Sequence, residues 1–435
     1  MDGNNTAMMH LGVMTVKDPS LLPRTLLPVI FHHTSRTASR AAQYTEPLPP
    51  SIGPLAFAAL DVLGRALLYP NQLRPSQAIK ARHASLILEH IEGIWTWTRH
   101  FITTVVDIPL EELDLQVQVY VHSDLEHTVT RLLAAMMDHE PLCFRLLSYP
   151  DFMPALARLS VHVLDSRYRH QESSKSNMMN AFAYLQDKDS HLWRPQVAEE
   201  YQKLAHLSVP LFLKPFTGAR RLNRELFLKG IAELITDLAL FKNFYSSSRR
   251  MMGLLLKNDA ARWLTHFTYR ASCYAHYYSS DTVDVRKRAT FITILFFPLE
   301  FLNDAIRYFG YAAIVQVLQN DFLPAAINCI INFVRIPKNP LPEQLMQLFD
   351  SISRYSIYLP VMKSLTRRRL IVDNSELKKC LNISRDPPDE GLRRALAGFL
   401  VVMESRRKVK TAFDRQSGGK FCENEMVGIL FSGAS

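Results

Sequence analysis

Glycine is scarce in this chain, at 15 of 435 residues, and the sole Asn-Gly or Asp-Gly pair is Asp2-Gly3 at the very start. Two-residue β-hairpins depend on such pairs, because their central positions need positive φ. A mainly β fold built from tight hairpins is therefore excluded. Cysteine is also sparse. Cys143, Cys273, Cys329, Cys380 and Cys422 are odd in number, far apart, and never form a Cys-x-x-Cys pair, so neither a disulfide framework nor a zinc ribbon can be assembled. The apolar surroundings of Cys143, Cys273 and Cys329 predict buried thiols that behave as small hydrophobes. That usage fits a reducing compartment, and the expected location is cytosolic or nuclear.

The motifs of common chemistry are missing too. There is no Gly-rich phosphate loop ending in Lys-Ser/Thr and no G-x-G-x-x-G, and neither H-E-x-x-H nor G-x-S-x-G occurs. Among the 15 histidines, Asp138-His139-Glu140 and Glu89-His90 have acidic neighbours but lack ligand spacing, and His32-His33 has no partner nearby. Glu111-Glu112 and Glu199-Glu200 are adjacent, and adjacent residues on a helix diverge by about 100°, so neither pair converges on one substrate. No catalytic residue, metal ligand or cofactor is expected, and the chain reads as a non-enzyme. The run from Leu21 to Phe31 is broken by two prolines and an arginine. The longest apolar stretch, Ala289 to Leu302, contains Pro298 and Glu300 and falls short of the roughly 20 residues a span needs. No membrane span is expected.

What remains is helical periodicity. Leu55, Ala59, Val62, Leu63 and Ala66 form one apolar stripe, and Leu125, Val129, Leu132, Leu133 and Met136 form another. Ser123 and Glu126 have capping-box spacing ahead of the second stripe. Asp151 is placed to cap a helix carrying Leu156, Leu159, Val163 and Leu164. Ser166 to Asn177 is polar and reads as an exposed loop. Further helices are predicted over Leu222–Phe244, Asp259–Tyr278, Val283–Phe297 and Leu299–Leu318, the last two separated or kinked by Pro298. Shorter ones follow from Pro324, Pro342, Pro360 and Ser375. A basic helix closes the set from about Pro388 to Gln416.

About fifteen helices joined by short loops predict an all-α chain, an irregular armadillo- or HEAT-like solenoid. Its expected divisions are a flexible lead-in over 1–54, a helical repeat-like domain over 55–417 with a sub-boundary near 166–177, and a short unstructured tail over 418–435.

The net charge of +10 is concentrated. Residues 351–420 hold 16 Lys/Arg against 7 Asp/Glu, a surplus of +9. Its clusters are Arg367-Arg368-Arg369, Lys378-Lys379, Arg393-Arg394 and Arg406-Arg407-Lys408-Val409-Lys410. In the final helix Leu392, Leu396, Phe399, Leu400 and Met403 form the docking stripe, which leaves Arg393, Arg394, Arg406 and Arg407 largely off it. Arg367, Arg368, Arg369, Arg393, Arg394, Arg406, Arg407, Lys408 and Lys410 are the candidate partner-binding residues. A protein or peptide is the expected partner of such a scaffold, and nucleic acid is the alternative, through the basic segment. Phe267 to Tyr278, five rings followed by Arg286-Lys287-Arg288, suits either a helix core or stacking on single-stranded nucleic acid.

The helical body, the basic final helix and the junction Lys420-Phe421-Cys422-Glu423-Asn424 together resemble a group of fungal proteins in which an armadillo-like helical region precedes a MYND-type zinc finger. That finger opens with Cys-x-x-Cys. This sequence has Cys422 in the opening position but Glu425 where the next cysteine is due, and no further ligands follow. The resemblance therefore implies the armadillo-like region with the finger missing, and no zinc, since a structural site needs four ligands.

Overall fold

The computed structural model describes residues 27–34 in part, 53–67, 77–107, 124–165, 171–187, 190–218, 230–246, 248–279, 283–319, 321–333, 336, 339–365 and 390–416. Among these residues the regular elements are eighteen α-helices and one 3-10 turn, with no strand. The chain is all-α. It divides into two compact units, Met1–Pro215 with Ala232–Asn258, and Phe216–Ile231 with Asp259–Ser435. The division does not follow the boundary expected near 166–177.

In the first unit the helices are α1 (Gly53–Leu67), α2 (Gln77–Leu88), α3 (Ile91–Asp107), α4 (Glu126–Met137), α5 (Glu140–Leu147), α6 (Phe152–Asp165), α7 (Gln171–Asp187) and α8 (Ser190–Lys203). After them come α9 (Ala205–Gly218), α10 (Ile231–Ser246) and α11 (Arg249–Lys257). Their packing follows a rule. Helix α1 packs on α4 and α4 on α7, α2 packs on α5, and α3 on α6. Among the described helices these four pairs stand three places apart, as stacked helical repeats would place them. The pattern loosens after α7, where α6 also packs on α8 and α8 reaches α11.

Close approach within the stack has a local cause. A Cβ added to Gly64 of α1 would lie 3.3 Å from the Leu132 backbone of α4, so the smallest residue sits where the two helices press together. Beside it Asp61, buried, accepts from Thr128 of α4 (2.9 Å) and from Arg65 (2.7 Å), and Arg131 also pairs with it. Paired from both helices, the carboxylate fixes their register instead of standing as an isolated buried charge.

The second unit repeats the rule. Its helices are α12 (Ala260–Ser272), α13 (Val285–Phe309), α14 (Tyr311–Leu318), α15 (Phe322–Phe333), α16 (Leu341–Tyr355), α17 (Leu359–Leu365) and α18 (Glu390–Gln416), with a 3-10 turn at Ala275–Tyr277. Helix α12 packs on α15, α13 on α16 and α14 on α17, while α18 closes against α16 and α17. The chain returns to this unit at Asp259, whose φ of 61° is tolerated because aspartate adopts the left-handed region more readily than most residues.

Three expectations need correcting. Residues 171–177 are not a loop but the first turns of α7, with Ser174 buried and Lys175 Nζ 2.8 Å from Asp237 Oδ1. Tertiary partners bury a polar run whose sequence carries no helical stripe. The lead-in is not wholly flexible. Leu27, Ile30 and Thr34 are helical and buried, and Phe31 stacks on His90 at 3.8 Å. Finally, Pro298 neither ends nor splits its helix. Ile294, Leu295, Phe301 and Leu302 are buried on either side of it, and the break comes at Gly310 instead. Packing on α12, α14 and α16 holds the helix continuous across the missing amide.

By length and composition alone α13 could cross a membrane. Its apolar character is taken up by packing within the unit, as for a core helix. The capping box is only partly visible, since Ser123 lies outside the described residues. Glu126 is buried, 3.5 Å from His162 Nε2.

Candidate interaction groove

Helix α16 sends Leu345, Leu348, Phe349 and Ile352 into the core. The same periodicity places Gln347, Asp350, Ser351 and Arg354 on one outer stripe at i, i+3, i+4 and i+7. Its partner α13 presents Asn303, Ile306 and Arg307 at i, i+3 and i+4. The two stripes border an open cleft of about 610 Å³, which continues past the end of α16 to Tyr355, Ile357 and Tyr358.

Each end of the cleft is fixed. At one end the Asn303 amide donates to the Gln344 backbone carbonyl (3.0 Å) and to its side-chain Oε1 (2.7 Å), tying α13 to α16. At the other, α13 stops at Gly310, with φ 57°. A Cβ there would lie 3.1 Å from the Tyr355 ring, so glycine is required both by conformation and by space. Beyond the glycine Tyr311 stacks on Tyr358 (5.8 Å), and Tyr355 lies 5.7 Å from Tyr358. The three rings form a wall at the mouth.

Surface chemistry gathers here as well. Ile357 is 64% exposed, Tyr358 46% and Tyr308, next to the cleft, 42%. Arg307 is exposed, its guanidinium 6.0 Å from the Tyr308 ring, with no carboxylate partner among the described residues. Arg354 pairs with Asp350 of its own helix at 2.6 Å, both well exposed. The cleft thus combines aromatic walls with exposed arginines.

Several buried groups have their titration moved by their surroundings. Burial pushes His83 down to about 4 and lowers His139. Burial also raises the Tyr201 phenol and pushes the Cys329 thiol up to about 12. Among the described residues no cluster of three or more His, Cys, Asp or Glu could hold a metal ion.

The residues singled out from sequence lie elsewhere. Arg367, Arg368, Arg369 and the 418–435 junction lie outside the described residues. Arg393 and Arg394 are exposed on α18 beside Glu390, while Arg407 and Lys408 are exposed beside Glu404. Lys410 is half-buried. Arg406 departs from its expected position: half-buried, it donates from Nε to Ser356 Oγ at 3.2 Å. It helps hold the turn that carries Tyr355 and Tyr358 instead of facing solvent. Leu392, Leu396 and Phe399 dock as expected, Phe399 lying 5.1 Å from Phe349.

The aromatic run over 267–278 is divided: Phe267 enters the core, while Tyr269, Tyr274, Tyr277 and Tyr278 are half-buried. Phe267 is fully buried, and Tyr278 stacks on Phe291 at 4.4 Å. The groove residues were missed because their spacing reads as an ordinary solvated face. The concentration of Tyr308, Tyr311, Tyr355 and Tyr358 becomes visible only once α13, α14 and α16 are brought together.

No family model matches this chain, and no curated protein matches it. Among solved structures, one described as "Circular tandem repeat protein with novel repeat topology and enhanced subunit contact surfaces" aligns with 94% of this chain and 97% of its own, at 13% identity and a TM-score of 0.33. A likeness that distant carries no weight, and the repeat assignment rests on the stacking of the described helices.

Proposed function

We propose that this chain is a non-enzymatic helical scaffold that holds a protein or peptide segment in the α13–α16 groove. The observation that supports this most directly is the exposure of Ile357 and Tyr358 at the mouth of an otherwise polar cleft. Exposed aromatic and aliphatic side chains beside arginines are the composition of binding hot spots. On the same reading the chain is grouped with the armadillo-like regions of fungal MYND-type proteins and acts in the cytosol or nucleus.

Selection of a displayed random peptide library on the full chain tests the proposal. Enriched peptides should lose at least about tenfold in affinity for the Tyr358→Ala protein. A selection that yields no peptide sensitive to Tyr358→Ala or Ile357→Ser removes the reading.

Nucleic-acid binding through the basic segment is the second reading, supported by the exposure of Arg393, Arg394, Arg407 and Lys408 on α18. Glu390 and Glu404 beside them balance part of that face. An oligonucleotide affinity that stays flat between low and moderate salt ends this reading, because phosphate contacts weaken steeply as salt rises.

A further inference from the structure

Resting on that reading of the groove, we infer that its occupant is an acidic segment carrying an apolar or aromatic side chain. Four observations on the cleft converge.

Arg307 lines the cleft, is exposed, and has no carboxylate partner among the described residues. Its guanidinium lies 6.0 Å from the Tyr308 ring. A guanidinium over a ring is held in orientation while its outer N–H groups stay open to an incoming carboxylate.

Arg354, three-quarters exposed, is engaged only within its own helix, by Asp350. An exposed i, i+4 pair contributes little, so a ligand carboxylate can share that guanidinium at small cost.

The Tyr355 and Tyr358 hydroxyls stand at the mouth alongside exposed Ile357 and have no hydrogen-bond partner among the described residues. They offer donors to an acidic group and a seat for an apolar one.

Asp304 and Asp350 also line the cleft, so its own charge is balanced. The wider field decides the sign. Among the described residues from 351 onward, nine Lys/Arg stand against three Asp/Glu, and α18, which holds seven of the nine, packs on α16, in a chain of net charge +10. Such a field favours an acidic visitor and disfavours a basic one.

The test uses the full chain and three fluorescent twelve-residue peptides alternating tryptophan with glutamate, glutamine or lysine, together with a single-stranded oligonucleotide. The glutamate peptide should bind at least about tenfold more tightly than the glutamine peptide and weaken with salt. Arg307→Glu should remove that preference and shift it toward the lysine peptide, while Arg307→Lys retains most of it. Arg393→Glu and Arg394→Glu, on α18, should weaken the glutamate peptide by less than Arg307→Glu does and leave the preference standing, which separates the groove from general attraction to a basic helix.

Equal binding of the glutamate and glutamine peptides, both weakened by Tyr358→Ala, overturns the acidic preference and leaves the groove reading standing. If no peptide responds to Tyr358→Ala, the groove reading fails and this inference with it. Oligonucleotide binding lost in Arg307→Glu, with all three peptides inert, overturns it in favour of nucleic acid. Circular dichroism and thermal midpoint establish that the charge-reversed proteins are folded.

Discussion

The indole Nε1 of Trp95 donates to Oδ1 of Asp151 across 3.1 Å, while Oδ2 of the same carboxylate takes Arg99 at 2.6 Å. One side chain at the start of α6 thus binds two on α3. Burial would raise the Asp151 carboxyl, but the bonds from Arg99 and Trp95 outweigh it and hold the group below the usual carboxylate range. Asp151→Ala should destabilise the α3–α6 contact by about 1–2 kcal/mol, and Trp95→Phe by about 1 kcal/mol through the lost bond. The double mutant should lose less than the sum. Because the folded carboxyl titrates below its unfolded value, the contribution is complete above about pH 4 and disappears as pH falls through the lowered value. Hydrogen exchange of α3 and α6 between pH 2.5 and 6 reads both effects.

His83 of α2 and His139 at the α4–α5 junction carry the opposite sign. Both are buried, and burial lowers both, His83 to about 4; His139 and Arg82 push His83 further the same way. At His139, Lys80 acts with burial and Asp138 against it. The native state therefore binds protons less readily than the unfolded one. Stability should be independent of these imidazoles above about pH 7 and fall as pH drops from about 6.5 to 4, by an amount on the order of 2–3 kcal/mol for His83. His83→Gln should flatten that part of the thermal-midpoint profile. A profile unchanged by the substitution would show that His83 is not responsible.

Gly310→Ala should be costly twice over, once through φ and once through Tyr355. A loss of about 1–3 kcal/mol is expected, with Tyr355→Ala in the same chain restoring the steric part but not the conformational part. The double mutant should also lose peptide binding, since Tyr355 is part of the groove wall.

On α18 the basic residues should separate sharply. Arg406→Ala removes a part-buried bond to Ser356 and should cost about 1 kcal/mol while raising hydrogen exchange over 353–358. Arg407→Ala and Lys408→Ala lose only exposed pairs with Glu404, and each should stay within about 0.5 kcal/mol of the parent. Equal effects at all three positions would mean that α18 docks by general charge.

The helical class was legible because most stripes were continuous. Val129, Leu132 and Leu133 mark α4, and Leu392, Leu396 and Phe399 mark α18, where pattern and burial coincide. Where packing overrode local preference, the reading failed. A polar run became the start of α7 because Lys175 finds Asp237, and Pro298 was absorbed into a helix buried on both sides. The groove was the least legible feature. Arg307 and Arg354 are 47 positions apart, and only the packing of α13 on α16 makes them neighbours of one cleft. Sequence directed attention to the densest basic cluster, yet of its described members Arg406 turned out to be a tether.

The offset by three has a kinetic consequence. If each helix leans on the next repeat along, no single nucleus has to gather distant parts of a unit, and most contacts can form as neighbouring repeats arrive. Opening should then proceed as fraying rather than collapse, beginning where a row runs out. In the second unit α18 covers the exposed flank of α16 and α17. It acts as the latch against unzipping from that side.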